Sequence, residues 1–234
     1  MLRINTSAAS DLSLVMLHGY AMDAGDLEPF ARSLGVDARF FFPRGLHALD
    51  TGGRAWWRRD DAAVARRLNE EGPRDLADEY PPERAAARTR LCEVLRDPDV
   101  GGEGRKVVLA GFSQGGMLAC DTLLQEPVAV DALVLLSSSR VAIGEWRDHL
   151  PRLRGLPVMV AHGRSDADLS FQAGERLRDC LHGAGARVTW VPFDGGHQIP
   201  LPVWRELRKF VKSLANAGPR DGIKPAFQGG GTPG

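Results

Sequence analysis

The stretch KVVLAGFSQGGMLACDTLL, residues 106–124, determines the fold that we expect for this chain. Val107 to Ala110 is a short apolar run rich in β-branched residues, which is typical of a parallel strand buried between two helix layers. The chain then turns within a residue or two, and a helical pattern of apolar residues follows. A Cβ two residues before or after Ser113 would crowd such a turn, which explains Gly111 and Gly115. The pattern predicts a nucleophile elbow, with the Ser113 hydroxyl at a helix N-terminus.

A glycine-rich phosphate-binding turn is the alternative interpretation of these residues. A bare Gly-x-Ser-x-Gly pattern is weak evidence in a chain with 27 glycines. The pattern nevertheless lies between a predicted strand and a predicted helix, as an elbow requires. Neither a Gly-x-Gly-x-x-Gly pattern nor a Walker-type lysine accompanies it. The elbow is therefore the favoured interpretation.

Composition and charge limit the classes of protein to which this chain can belong. Its 234 residues suit one α/β unit, and 43% hydrophobic with 26% charged residues is ordinary for a globular protein. Thirty basic residues balance thirty acidic ones, so no overall field favours nucleic acid or an anionic membrane. No stretch approaches the ~18 apolar residues of a membrane span, and the N-terminus lacks a signal segment. We expect no nucleic-acid partner and no stable membrane insertion.

Cysteine and histidine usage indicates a reduced compartment and no metal site. Cys92, Cys120 and Cys180 are odd in number and far apart, which favours reduced thiols over a disulfide set. The histidines are scattered, with no Cys-x-x-Cys pair and no His-x-x-x-His pair on a common helix face. We therefore expect a cytoplasmic protein that holds no metal ion.

Predicted strands alternate with predicted helices along the chain. This alternation predicts a mainly parallel sheet covered by helices on both faces, with the active site at the carboxyl ends of the strands. We expect one α/β domain over residues 1–214, a charged surface excursion or lid over residues 58–80, and a disordered tail over residues 215–234. The predicted strands are residues 12–17, 39–42, 107–110, 132–136, 157–161 and 187–191. Helices are predicted near residues 27–34, from Pro81 to about Leu95, after Ser113, and over residues 173–181 and 203–214.

A serine nucleophile needs a base, and the imidazole pKa suits proton exchange near neutrality. In elbow-type folds the chain order is serine, then carboxylate, then histidine, each after a strand. Four histidines follow Ser113, and His197 lies directly between the last predicted strand and the last predicted helix, in FDGGHQIP. The other three are His149, in a connection before a strand, His162, at the end of a strand, and His182, at the end of a helix. His197 is therefore the predicted base, against a plain solvent-facing turn histidine as the alternative.

The carboxylate that orients the base is sought in the loop after strand PVMVAHG. That loop contains Asp166 and Asp168 within RSDADLS. Asp166 is nearer the strand end and has room to turn inward, whereas Asp168 is better placed to favour the N-terminus of the next helix by capping or charge. Asp194 is a weaker rival, since it lies only three residues from His197. We predict Asp166.

An oxyanion hole needs two backbone donors. One comes from the residue after the nucleophile, Gln114, and the other from the loop after an early strand. The turn His18, Gly19, Tyr20 follows the first clear strand, so the Tyr20 amide is the predicted second donor. His18 precedes the serine and is predicted to brace the turn by hydrogen bonds.

With GFSQGGMLA, LHGYAMDAGDL, AHGRSD and GGHQIP in matching order, the chain resembles the phospholipase/carboxylesterase group of α/β-hydrolases over roughly residues 12–214. That group includes acyl-protein thioesterases and small bacterial carboxylesterases. The resemblance implies an α/β-hydrolase fold and a cofactor-free hydrolase that acts on carboxylic esters or thioesters through an acyl-enzyme. It assigns the nucleophile to Ser113, the acid to Asp166, the base to His197, and the oxyanion donors to Tyr20 and Gln114.

Substrate contacts are the least determined part of the prediction. Trp56 and Trp57 either form an apolar wall for the acyl chain or pack in the core. Leu169 and Ile199 are the other two residues that we expect to contact the substrate. A basic cluster of three arginines either meets an anionic leaving group or forms a solvated face, and the solvated face is favoured. Its members are Arg54, Arg58 and Arg59.

The leading functional hypothesis is a carboxylesterase for small-molecule esters or thioesters of short-to-medium acyl chain, because nothing in the chain indicates a long apolar tunnel. A lysophospholipase or acyl-protein thioesterase is the enzymatic alternative. A non-catalytic binding protein on a hydrolase scaffold is the alternative of another class, although such a protein would not need all of Ser113, Asp166 and His197. A homodimer is a state that the sequence leaves open.

Overall fold

The computed structural model describes residues 1–5, 10–102 and 104–216. Its central element is a seven-stranded sheet in the order β1-β3-β2-β6-β7-β8-β9. The main strands are β1 (Leu2–Asn5), β2 (Leu12–Leu17), β3 (Arg39–Phe42), β6 (Lys106–Phe112), β7 (Ala132–Leu136), β8 (Pro157–Gly163) and β9 (Arg187–Phe193). A separate two-stranded hairpin comprises β4 (His47–Ala48) and β5 (Arg54–Ala55).

Helices cover both faces of this sheet. The α-helices are α1 (Glu28–Leu34), α2 (Asp61–Glu71), α3 (Arg84–Arg96), α4 (Pro98–Gly101), α5 (Gln114–Gln125), α6 (Ile143–Trp146), α7 (Phe171–Gly183) and α8 (Leu201–Asn216). Two 3-10 helices span Ala24–Leu27 and Arg147–Leu153. Among the residues described above, no helix combines the length and the apolarity needed to cross a membrane.

The pairing of the strands confirms the predicted mainly parallel sheet. β1 pairs antiparallel with β3, and all the other neighbours in the large sheet are parallel. β6 is the fourth of the seven strands, so the turn that follows it lies in the middle of the sheet edge. Successive side chains of a strand enter opposite faces, and Leu109 and Val108 accordingly belong to different hydrophobic cores. Parallel strands buried on both faces read as continuous apolar runs, which is why the sequence revealed them.

Several element boundaries differ from the sequence prediction. The edge strand β1 and the β4–β5 hairpin were not predicted, because β1 (LRIN) has no continuous apolar run and two-residue strands are too short to show a period. The helix expected from Pro81 begins at Arg84. The final helix extends to Asn216, two residues into the expected tail, and residues 217–234 of that tail lie outside the described residues.

The charged segment 58–80 has two parts. The Asp60 carboxylate caps α2 by accepting a hydrogen bond from the Ala63 amide, and the helix stops at Gly72, whose φ is 79°. None of the residues of α2 is buried. The following residues are held by hydrogen bonds to distant segments, such as Arg74 N to the Asp168 carbonyl and Ala142 N to the Glu79 carbonyl, both 2.9 Å.

Candidate active site

The turn after β6 has the strained geometry that the glycines predicted. Ser113 has φ 52° and ψ −118°, a backbone conformation that costs a non-glycine residue about 1–3 kcal/mol. A Cβ on Gly115 would lie 2.5 Å from the Leu17 carbonyl oxygen, and one on Gly111 would overlap the backbone of Gly115. Glycine at both positions therefore allows β2, β6 and α5 to approach each other around the serine.

Three consecutive serines after β7 hold the segments around this turn. Ser138 donates a hydrogen bond to the Ser113 carbonyl at 3.2 Å, and Ser137 donates one to the Gln198 carbonyl at 3.4 Å. Ser139 accepts from the Leu76 amide at 3.2 Å. The serines therefore link the nucleophile turn, the His197 loop and the 72–80 segment. The sequence does not predict these roles, because a polar run at a strand end does not reveal its partners.

Asp166 and His197 form a hydrogen-bonded pair at the same edge of the sheet. His197 Nδ1 lies 2.7 Å from Asp166 Oδ2, although 31 residues separate them. Asp166 Oδ1 accepts from the amides of Asp168 and Leu169 at 2.9 and 3.0 Å. Burial by itself would raise the pKa of Asp166, but the His197 contact and these two amides outweigh it and hold that pKa below its usual value. The carboxylate is therefore ionised near neutral pH and accepts the Nδ1 proton of His197.

The rival carboxylates have other partners. Asp168 forms an ion pair with the buried Arg74. Asp168 does not cap the next helix, because the Ser170 hydroxyl caps α7 by accepting from the Ala173 amide at 3.1 Å. The charge effect of Asp168 on that N-terminus stays a prediction. The Asp194 side chain is 98% exposed, and its nearest cation is Arg164.

His197 faces the nucleophile turn without a direct hydrogen bond to it. Its ring centroid lies 4.9 Å from that of Phe112, the residue before Ser113. Among the contacts of the described chain, neither the Ser113 hydroxyl nor His197 Nε2 has a hydrogen-bond partner. Catalytic hydrogen bonds are often long or poorly aligned in the absence of substrate, so the lack of a Ser113–His197 hydrogen bond is consistent with His197 as the base.

His18 braces the turn after β2, as the sequence predicted. Its Nε2 accepts from the Gly45 amide at 2.9 Å, and its Nδ1 donates to the Gly19 carbonyl at 2.7 Å. Burial lowers the pKa of His18, more than the Gly19 hydrogen bond and nearby carboxylates raise it. His18 is therefore neutral, as these two bonds require.

Trp56 and Gln114 join this turn to the nucleophile helix. The Trp56 indole donates to the His18 carbonyl at 2.9 Å, and the Trp56 amide donates to Gln114 Oε1 at 2.8 Å. Gln114 Nε2 donates in turn to the Trp57 carbonyl at 2.8 Å. These two bonds hold the side chain of Gln114. The backbone N–H of Gln114 therefore has a fixed direction beside Ser113. Within the ranges that the structure describes, the backbone amides of Gln114 and Tyr20 donate to no protein acceptor.

The basic cluster is taken up by contacts within the protein. Arg54 donates to the Gly45 and Leu46 carbonyls at 2.6 and 3.1 Å, and Arg58 pairs with Glu83 at 2.8 Å. Arg59 lies over the Tyr20 ring, 3.9 Å from its centroid, and pairs with Asp61 at 2.8 Å. The Arg58 side chain is 63% exposed, as the predicted solvated face requires, whereas Arg54 is partly buried against the two carbonyls, so a solvated face describes only part of the cluster. The three arginines of this cluster are Arg54, Arg58 and Arg59.

Three of the four predicted substrate contacts are buried, and one is partly exposed. Trp56 has no exposed surface, Leu169 is 1% exposed and Trp57 is 5% exposed. Ile199 is partly exposed and lines a void of about 10 Å³, which also touches Phe112. Trp56, with its two hydrogen bonds and its ring stacked on His18 at 5.1 Å, packs in the core rather than forming an open wall.

No metal site accompanies these groups in the part of the chain that the structure covers. Within residues 1–5, 10–102 and 104–216, no three or more His, Cys, Asp or Glu side chains lie together so that they could hold an ion.

The mainly parallel sheet and the strained serine turn define an α/β-hydrolase fold. Solved structures agree. The crystal structure of Zea mays acyl-protein thioesterase 2 has a TM-score of 0.72 at 17% identity, covering 92% of this chain and 98% of that one. Esterase PE8 has a TM-score of 0.71 at 22% identity, covering 91% and 97%. At these identities the likeness establishes the fold alone.

Sequence comparison defines the family. The phospholipase/carboxylesterase family profile matches residues 98–215, half of the chain. The chain belongs to the phospholipase/carboxylesterase family.

Two curated relatives differ in the share of their length that aligns with this chain. Acyl-protein thioesterase 1 of Neurospora crassa is 26% identical over 122 residues, which is 50% of either chain. The Bacillus subtilis protein MhqD is 26% identical over 218 residues, which is 91% of this chain and 98% of MhqD. The chain thus aligns with about half the length of the thioesterase and with nearly all of MhqD.

Proposed function

We propose that this protein is a serine hydrolase that cleaves carboxylic esters of short-to-medium acyl chain through an acyl-enzyme. The observation that carries the proposal is the 2.7 Å hydrogen bond between His197 and the buried Asp166, at the sheet edge where Ser113 forms its strained turn. A buried carboxylate on Nδ1 leaves Nε2 as the free lone pair of the imidazole, which is the tautomer a general base needs. Membership of an esterase and thioesterase family supports the same conclusion.

In the proposed mechanism, Ser113 Oγ attacks the carbonyl carbon while His197 Nε2 takes its proton. The unpaired amides of Tyr20 and Gln114 hold the negative charge that develops on the carbonyl oxygen. The tetrahedral intermediate collapses, the alcohol or thiol leaves with the proton from His197, and the acyl group remains on Ser113. Water, activated by His197, then attacks the acyl-enzyme and releases the acid.

The small amount of open apolar surface supports a preference for shorter acyl chains. Leu169 and Trp57 are almost covered, and the void beside Ile199 has room for about one water molecule. We propose Trp57, Leu169 and Ile199 as contacts of the acyl group, and a bracing role for Trp56. A thioesterase or lysophospholipase is the second candidate, favoured by the relative described as acyl-protein thioesterase 1.

The organisation of the chain is also proposed. We take residues 1–214 as one domain and residues 58–80 as a lid. We propose α2 as the part of the lid that moves, because none of the residues of α2 is buried. The three cysteines are free thiols, which supports a reducing, cytoplasmic setting.

The test is hydrolysis of p-nitrophenyl esters from acetate to palmitate, beside an S-acyl thioester series and a fluorophosphonate label. Wild-type protein is expected to label at Ser113 and to turn over short esters fastest, whereas Ser113→Ala should fold, stay unlabelled and lose turnover. A maximum at long chains or on thioesters would favour the second candidate. Absence of both label and turnover would reject the enzyme and favour a binding protein on this scaffold.

A further inference from the structure

A second histidine contacts the carboxylate of the proposed triad. His162, on β8, is fully buried, and its Nε2 lies 3.0 Å from the Leu169 carbonyl oxygen and 3.4 Å from Asp166 Oδ2. Both of these oxygens are acceptors, so His162 Nε2 must carry the proton. Burial lowers the pKa of this imidazole, which is therefore neutral. Its Nδ1 is buried without a partner in the described chain.

Space for this ring is made by a glycine near the start of a helix. Gly174 lies in the first turns of α7, and a Cβ there would be 2.5 Å from both Cγ and Nδ1 of His162. Real side chains do not approach so closely, so the ring could not keep its position beside any other residue. Glycine is a poor helix former, and its presence here is explained by the imidazole against which it packs.

The contacts of Asp166 divide into those made within its own turn and those made from outside. The Asp168 and Leu169 amides bind Oδ1 but belong to the turn itself, so they fix its shape and not its place above the sheet. His162 is part of β8, and its Nε2–H donates to the Leu169 carbonyl of the turn at 3.0 Å. The same nitrogen lies in contact with Oδ2, at 3.4 Å, but the hydrogen bond to Oδ2 comes from His197.

We propose that His162 is a positioning residue for the triad, and that Gly174 is needed to seat it. The inference rests on the proposed function, since it concerns how Asp166 is presented to His197. The titratable groups that face Asp166 are His197 and His162, whereas Asp168 is turned toward Arg74.

Two substitutions of the histidine separate positioning from general packing. His162→Leu keeps an apolar volume but removes the donor, and His162→Gln keeps an N–H at about the reach of Nε2. Because displacing a catalytic group by about 1 Å can cost about 100-fold, we expect His162→Leu to lower kcat about 10- to 100-fold while KM changes little. His162→Gln should recover most of that loss.

A matched pair of glycine substitutions tests whether Gly174 makes the space for the His162 ring. Gly174→Ala should lower kcat in the same manner as His162→Leu. Gly183→Ala is the control, because Gly183 lies in the same helix and a Cβ there meets nothing within 4 Å. Its kcat and KM should equal those of the wild type.

The low-field NMR signal of the His197 Nδ1 proton provides a readout that does not need turnover. It is expected in the wild type and in His162→Gln, and it should shift or broaden in His162→Leu and Gly174→Ala. If the wild type hydrolyses no ester, the proposed function fails and this signal alone decides the positioning role. A folded His162→Leu protein with wild-type kcat and an unchanged signal would overturn the inference. Should that variant not fold, the paired glycine substitutions decide by the same criteria.

Discussion

Replacing Asp166 by asparagine should disable the proposed base without removing its hydrogen-bond framework. The amides of Asp168 and Leu169 both donate to Oδ1, so the oxygen of the asparagine must take that position. Its NH₂ group then occupies the place of Oδ2, 2.7 Å from His197 Nδ1. Two donors cannot face each other at that distance, so the imidazole must move its proton from Nδ1 to Nε2.

The size of the effect follows from this change of tautomer. With Nε2 protonated, His197 has no lone pair for the Ser113 hydroxyl, and the imidazolium formed during attack loses its buried counter-charge. In the well-studied serine-protease triad the same exchange lowers kcat by about 10⁴-fold, equivalent to about 5.5 kcal/mol in the activation free energy. We expect a loss of about 10³- to 10⁴-fold here, because Asp166 is only 3% exposed and water cannot replace it.

The assay is the initial rate on p-nitrophenyl acetate together with the second-order rate of fluorophosphonate labelling. Circular dichroism and urea unfolding establish that the variant is folded. A folded Asp166→Asn protein that kept more than about a tenth of the wild-type kcat would refute the assigned role of Asp166.

The same substitution has a consequence for stability that depends on pH. The pKa of Asp166 is lowered in the folded protein, so its carboxylate contributes stability above the unfolded pKa of about 4, and that contribution is lost as the pH falls through the folded value. The difference in unfolding free energy between wild type and Asp166→Asn should be constant above about pH 5 and should shrink below about pH 4. Urea unfolding between pH 3 and pH 8 measures it, and a difference independent of pH would contradict the folded-state ionisation.

Three further outcomes are expected. Gly115→Ala should prevent folding or fluorophosphonate labelling, because its Cβ would lie 2.5 Å from a backbone oxygen. Gly25→Ala is the control, because a Cβ there has nothing within 4 Å, and it should leave labelling and the thermal melt unchanged. Asp121→Ala should lower the unfolding free energy, measured in urea, by about 3–5 kcal/mol. The substitution removes the fully buried carboxylate that pairs with Arg84 and Arg88 and accepts the Trp146 indole N–H. A loss below about 1 kcal/mol would be inconsistent with this network. Trp56→Phe should cost about 1–3 kcal/mol by leaving the buried His18 carbonyl unpaired, and a thermal melt equal to wild type would argue against that hydrogen bond.

Local patterns in the sequence were sufficient to predict the fold class. Parallel strands buried on both faces appear as apolar runs, so β7 was predicted at Ala132–Leu136, where it lies. The glycines flanking Ser113 indicated a crowded turn, because only a missing Cβ permits it, and the observed φ of 52° agrees. Chain order restricted the candidate base to the histidines after Ser113, and position in the loop favoured Asp166 over Asp168 and Asp194. The structure brings Asp166 and His197 to 2.7 Å.

Contacts between segments far apart in the chain could not be predicted from such local patterns. The ion pair of Arg74 with Asp168 joins residues 94 apart, and the capping role predicted for Asp168 from its neighbours was wrong. The sequence did not distinguish a wall from a core for Trp56, because burial depends on what the hairpin brings against His18. His162 was noted as a histidine at a strand end, with no sign that Gly174 would make room for its ring.

The sequence by itself therefore determined the α/β-hydrolase fold, the strained serine turn and the order of the candidate triad, because each depends on residues that are neighbours in the chain or on the period of a strand. The tertiary structure alone decided which side chains are covered, which carboxylate meets His197, and how His162 reaches Asp166. Those properties arise from the close packing of segments far apart in sequence, where a single Cβ, as at Gly174, decides whether a ring can be accommodated.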